Sequence, residues 1–194
     1  YSRPDGRLDK KPSLSFERQG YGASVALVDA DGDGRMDILR PEVEMGVMAM
    51  SRILLSGKLD VPFLVHLSRP RPGPKADFRL ESSLGVNLQS AQEMTGSYPM
   101  LDQDFDGDGK RDALLGLSGQ GSGVRPDRLV LYRSLGLGKY KEIWGVDLSA
   151  TRFVEAFHPK AGRPPGLILY FPHVDEQRGD VWVLNNRGNW QSEN

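Results

Sequence analysis

The chain lacks cysteine altogether, carries three histidines among its 194 residues, and nowhere runs through 18 consecutive apolar positions. Without cysteine there is neither a disulfide nor a thiol nucleophile, although this leaves the compartment undecided. Without a long apolar run there is no membrane-spanning helix. No signal peptide opens at Tyr1, as expected of a start that was processed or cut. His66, His158 and His173 are scattered, and none falls in a metal or nucleophile motif; His66 reads as a surface or core-edge residue of an alternating strand. Gly119-Gln-Gly121-Ser-Gly123 is glycine-rich, yet it lacks the strand-to-helix setting of a phosphate loop or nucleophile elbow and reads as a turn. No catalytic constellation emerges, so the chain does not read as an enzyme. Strong charge of one sign is missing too, the net charge being -1. The cluster Arg69-Pro-Arg71-Pro-Gly-Pro-Lys75 reads as a stiff solvated turn, because nucleic-acid binding wants a broader basic face with stacking aromatics. What remains, with 38% hydrophobic residues, 23 glycines and 13 prolines, is a soluble domain rich in turns.

Against this background one pattern stands out. Asp29-Ala-Asp31-Gly-Asp33-Gly34-Arg35-Met-Asp37 recurs as Asp104-Phe-Asp106-Gly-Asp108-Gly109-Lys110-Arg-Asp112. With one acidic type at about 6% of residues, four prescribed aspartates arise by chance roughly once in 10⁵ starting points. Carboxylates at relative positions 1, 3, 5 and 9 suit a loop wrapped around one hard cation. Ca²⁺ takes about six to eight oxygen ligands and tolerates a flexible loop, whereas Mg²⁺ demands stricter octahedral geometry. Asp29, Asp31, Asp33 and Asp37 are the expected ligands of one ion, and Asp104, Asp106, Asp108 and Asp112 those of a second. The cationic side chains at position 7, Arg35 and Lys110, leave only their carbonyl oxygens to face the metal. Gly34 and Gly109 at position 6 permit a turn that a Cβ resists. Two unit charges about 4 Å apart repel by about 4 kcal/mol at an effective dielectric of 20, so the loops need a cation.

An EF-hand opens similarly but requires a bidentate Glu at position 12 between two helices. Here position 12 is Arg40 in one loop and Leu115 in the other. The flanks, Ser24–Asp29 and Asp37–Pro41, then Tyr98–Asp102 and Asp112–Gly116, are short, apolar and rich in β-formers. Each loop therefore joins two strands.

The stretch from Tyr21-Gly22 through the first acidic loop to Ile38-Leu39 resembles the FG-GAP repeat of integrin-α-type β-propellers and the related VCBS repeats of secreted bacterial proteins. Tyr21 stands in for the family's Phe, Arg40-Pro41 sits where Gly-Ala-Pro is common, and the second copy has Gly96-Ser-Tyr98 in place of the aromatic-Gly pair. The resemblance implies an all-β fold of β-propeller blades, each of four antiparallel strands and stapled by calcium. Some polysaccharide lyases resemble this fold with calcium-bearing propellers, and VCBS-like propellers resemble parts of toxin shells. A propeller accompanying a secreted lyase or hydrolase, or a segment of a toxin shell, is thus the alternative reading.

Repetition extends beyond the loops. A unit over 21–90 continues through Phe63–Leu67, Asp77–Leu80 and Leu84–Leu88; one over 96–149 through Arg128–Arg133, Tyr140–Trp144 and Gly145–Leu148. A third, 150–194, has Gly166–Tyr170 and Asp180–Leu184 but no acidic loop, and is expected to bind no ion. Residues 1–20, through Leu14-Ser-Phe16, read as the tail of a preceding blade. Ordinary blades run about 40–50 residues, and Asp29 and Asp104 stand further apart than that, so an insertion is expected at 42–59. Val43, Val47, Met50 and Leu54 keep a helix-compatible rhythm there, with Met45 and Met48 adding flexible bulk; a short helix or a looped hairpin both fit, packing on its own blade. Closed propellers need about four to eight blades, and about three are seen, so other segments or chains are expected to complete the ring and cover its edges. The expected function is a non-catalytic module binding a protein or carbohydrate ligand. Weak extracellular calcium sites work near 10⁻⁴–10⁻³ M, which favours a place outside the cytoplasm, secreted or at the cell surface, with the periplasm as the alternative. Arg178-Gly179-Asp180 matches an integrin-recognition tripeptide but reads as ordinary turn chemistry before a strand.

Overall fold

The computed structural model describes residues 25–43, 46–69, 73, 75–86, 94–95, 99–117, 127–148, 153–171, 179–188 and 190. Among these the chain forms β1 (Ala26–Val28), β2 (Asp37–Pro41), α1 (Val47–Ser56), β3 (Lys58–Asp60), β4 (Phe63–His66), β5 (Phe78–Leu80), β6 (Ser83–Val86) and β7 (Met94–Thr95). Then follow β8 (Ala113–Leu117), β9 (Asp127–Gly136), β10 (Lys139–Leu148), β11 (Phe153–Phe157), β12 (Gly166–Tyr170) and β13 (Val181–Leu184). The fold is mostly β, as the strand-forming flanks of the acidic loops predict.

Three antiparallel meanders carry the architecture. The first has strand order β1-β2-β4-β5. In the second, β8, β9 and β10 follow one another, and the strand expected before the acidic loop is reduced to a bridge between Met100 and Leu114. The third runs β11-β12-β13. Along β2 the side chains alternate, with Asp37, Leu39 and Pro41 buried and Ile38 and Arg40 half-buried, the period of two that a pleated strand imposes.

The sheets stack face to face around two cores. One core gathers Leu39, Phe63, Val65 and Leu80 of the first sheet with Ala113 and Leu115 of the second. The other gathers Leu114, Leu129 and Leu131 of the second with Leu167 and Leu169 of the third. Ala113, Leu114 and Leu115 therefore send successive side chains into opposite cores. A strand buried on both faces reads as a continuous apolar run instead of alternating. Each such side chain removed from water contributes about 1.5–3 kcal/mol.

The insertion is helical, as one of the two expected forms. α1 ends where Gly57 adopts φ 61° and its N–H reaches the Ile53 carbonyl at 2.7 Å, a left-handed cap that favours glycine. Its packing departs from expectation. Ile53 is the helix residue that is buried, while Val47, Met48, Met50, Leu54 and Leu55 face solvent, so the methionines do not pack on their own blade; Met45 lies outside the described residues. The chain after α1 also changes sheet. β3 pairs antiparallel with β6, and β6 touches β8 through one parallel bridge, Ser83↔Leu117. The segment from Leu84 therefore leaves the first meander and pairs with β3, Leu84 standing opposite Leu59; residues 87–88 lie outside the described residues.

His66 is buried, not at the surface: its Nε2 accepts a hydrogen bond from Arg40 Nε at 3.1 Å. Burial, reinforced by the Arg40 charge, lowers its pKa below the ordinary 6.5. No helix among the described residues is long and apolar enough to cross a membrane. Tyr21-Gly22, Leu14–Phe16, Gly96–Tyr98, Gly119–Gly123, Arg178 and His173 lie outside the described residues; Gly179 and Asp180 are exposed just before β13.

Candidate metal centre

The first acidic loop hangs between β1 and β2, whose register closes with Val28 opposite Asp37. Its aspartates fold the loop by accepting its own amides. Asp29 Oδ1 accepts from Gly32 N at 2.9 Å and Asp29 Oδ2 from Gly34 N at 3.3 Å. Asp31 accepts from Asp33 N at 3.1 Å, and Asp33 from Arg35 N at 2.8 Å. These are local side-chain-to-backbone turns of the kind that Asp favours. The second loop repeats them: Asp104 accepts from Gly107 N at 2.8 Å and Gly109 N at 2.8 Å, Asp106 from Asp108 N at 3.0 Å, and Asp108 from Lys110 N at 2.9 Å.

The backbone repeats as closely. Gly34 and Gly109 have φ of 81° and 86°, the left-handed region expected at position 6. Position 4, occupied by Gly32 and Gly107 with φ of 79° and 80°, is left-handed as well. The sequence contains that second requirement plainly, since both loops place glycine there.

Asp29, Asp31 and Asp37 each bring an oxygen within 4.8 Å of the other two, as do Asp104, Asp106 and Asp108. Three of the four expected carboxylates converge in each loop; Asp33 and Asp112 stand outside these groupings. The donors are all hard carboxylate oxygens, without nitrogen or sulfur, a set that suits Ca²⁺, Mg²⁺ or Mn²⁺ over softer ions. Arg35 and Lys110 turn their side chains back onto the position-5 carboxylates, at 3.8 Å from Asp33 and 3.4 Å from Asp108.

Position 9 does something the spacing alone does not reveal. Asp37 is 1% exposed; one oxygen accepts from Ala30 N at 2.9 Å inside the loop, the other from Ser68 N at 2.8 Å beyond β4. Asp112 is 0% exposed and likewise ties Phe105 N at 2.9 Å to Ser134 N at 2.9 Å on β9. Each buried carboxylate thus clamps its loop to a neighbouring segment, Asp37 to Ser68 just after β4 and Asp112 to Ser134 on β9. Burial pushes the Asp37 and Asp112 carboxyls above the ordinary 3.8, against the pull of those backbone hydrogen bonds. Neighbouring carboxylates push the same way, Asp31 and Asp33 on Asp37, and Asp106 on Asp112.

A pH dependence follows with a definite sign. A carboxyl whose folded pKa exceeds the unfolded 3.8 holds more protons in the folded state between the two values, so the metal-free chain gains stability as pH falls through that window. A bound divalent ion competes with those protons, and its affinity is expected to weaken over the same interval. Calcium titrations between pH 7 and 4 check this; an affinity constant throughout would contradict it.

Neighbouring loops abut along one end of the stack. The Arg111 guanidinium, from position 8 of the second loop, lies 3.7 Å from Asp29 Oδ2 of the first. Pro164, between β11 and β12, packs beside Gly107, and His158 Nε2 lies 3.2 Å from Gln103 Oε1. The third hairpin closes with Phe157 opposite Gly166, the same nine-residue separation as Val28 and Asp37. It places His158, Lys160 and Gly166 where the first loop has Asp29, Asp31 and Asp37. The span of the turn is shared while its charge is inverted, and its left-handed glycine, Gly162, falls at position 5 instead of 4 and 6. Arg111, Arg133, Ser68 and Ser134 escaped sequence reasoning because they lie outside the repeated pattern or at its unassigned positions; only pairing register brings them in. No protein-family model matches the chain, and no curated protein matches it significantly.

Proposed function

We propose that the chain is a calcium-stabilised segment of an FG-GAP/VCBS-like β-propeller, working outside the cytoplasm as a non-catalytic module that binds or scaffolds a protein or carbohydrate partner. The observation that carries this reading is the duplicated loop: two acidic turns adopt the same hydrogen-bond pattern and the same pair of left-handed glycines. The first leads into β2 and the second into β8. Asp29, Asp31 and Asp37 would hold one ion and Asp104, Asp106 and Asp108 the other. An ion bound there neutralises like charges and fixes the hairpin turns. The ligand-presenting surface then inherits that rigidity. Helix α1 supports a scaffolding role, since it turns Val47, Met48, Leu54 and Leu55 outward.

Chelation by EDTA is expected to lower the melting temperature and added calcium to restore it. Calorimetry should count two ions, reduced to one by Asp31→Ala or by Asp108→Ala, both of which alter exposed side chains. Melting that ignores chelator and calcium alike would remove the metal from the account.

A further inference from the structure

The two loops meet different charged neighbours, Arg111 beside the first and Arg133 beside the second. Arg133 lies on β9 directly before Ser134, and its Nε donates to Asp106 Oδ2. The Asp106 side chain is 6% exposed and that of Arg133 45%. A half-exposed cation on a flexible stem therefore meets an almost buried anion that belongs to the metal-binding trio. Asp108 and Asp112 add to the field that holds the guanidinium charged. Register shows what the first sheet has in the same place. Ile38 pairs with His66 and Ala113 with Tyr132, so Leu67 stands opposite Asp37 where Arg133 stands opposite Asp112. Leu67 is buried in the first core. The fold accepts an apolar residue at this position, and the arginine is a choice specific to the second loop.

We propose that Arg133 is a tethered counter-cation of the second acidic loop, occupying Asp106 in the metal-free protein and setting that loop's affinity for a divalent ion. The proposal rests on the metal-loop reading above and deepens it. An arriving ion must share or displace the guanidinium, because Asp106 Oδ1 already accepts from Asp108 N and Oδ2 is the oxygen that Arg133 engages. Like charges at close range repel, so every ion bound at this loop works against a resident positive charge. The same contact neutralises one of three converging carboxylates when no ion is present, which keeps the loop folded. The first loop has the Arg111 guanidinium at 3.7 Å from Asp29, and Leu67, just after β4, stands where the second loop has Arg133.

The test uses the full chain carrying Asp31→Ala, so that only the second loop binds, with calcium chloride as the probe. Adding Arg133→Leu is expected to tighten calcium binding about two- to fivefold by calorimetry, the scale of one partly exposed charge pair. It should also lower the melting temperature in EDTA. Arg133→Gln, which keeps the stem and donors but not the charge, should tighten binding in the same direction, and serves if the leucine variant does not fold. Arg133→Lys should stay near the parent. Unchanged affinity in both neutral variants, with one ion still bound, overturns the role of Arg133 and leaves the loop reading intact. A parent that binds no calcium at all overturns both.

Discussion

Asp112→Ala is expected to cost about 3–5 kcal/mol of folding stability in EDTA, with no metal involved. Its two oxygens accept from Phe105 N, Asp106 N and Ser134 N in a site that is 0% exposed. A buried donor left without a partner costs about 1–3 kcal/mol, and alanine supplies no acceptor. Removing the carboxylate also removes the cost of burying its charge, which trims the total below the simple sum. Asp108→Ala provides the contrast. Asp108 is exposed and its loss relieves repulsion from Asp104 and Asp106, so stability in EDTA should stay within about 0.5 kcal/mol of the parent. Urea denaturation of the two variants decides the matter. Equal losses would mean that the buried clamp at position 9 adds no stability of its own.

Phe105→Ala carries the second large effect, an expected loss of about 3–5 kcal/mol. Phe105 occupies position 2 of the second loop yet is 0% exposed, and its ring meets Trp190 edge-on with centroids 6.1 Å apart. Its carbonyl accepts from Asn186 Nδ2 and from Trp190 Nε1. The loop is therefore pinned into the core between the second and third sheets by the residue that stands between Asp104 and Asp106. Calcium binding at this loop should weaken along with stability, while the first loop, whose position 2 is the small Ala30 in the other core, keeps its ion. Denaturation together with calorimetric stoichiometry tests this. A stability loss below about 1 kcal/mol with both affinities unchanged would show that loop and core are independent.

Much of the site is legible in the chain. Spacing alone places Asp29, Asp31 and Asp37, and likewise Asp104, Asp106 and Asp108, within reach of one another, because short-range turn chemistry leaves a nine-residue loop few ways to fold. The strand-forming flanks mark the loop as a hairpin connection, and the helix-compatible rhythm of 42–59 locates α1. Other features stay hidden. Met48 and Met50 are apolar and helical in either case; which side they turn depends on whether a surface exists to receive them. His66 looks like a surface or core-edge residue until Arg40 is found beside its ring. Leu84 changes sheet because of β3, which the chain forms some 25 residues earlier.

Taken by itself, the sequence determined the two turns: the aspartates, the glycines that release the backbone into the left-handed region, and the apolar strands on either side. Those depend on neighbours within about ten residues, and local sterics and hydrogen bonding suffice to set them. Tertiary structure decided what closes over the turns: Asp37 and Asp112 as clamps to Ser68 and Ser134, Arg111 reaching the adjacent loop, and Arg133 on Asp106. These contacts join residues that only strand register and sheet stacking bring together, and register is selected by burial of whole faces, which no single stretch of sequence contains.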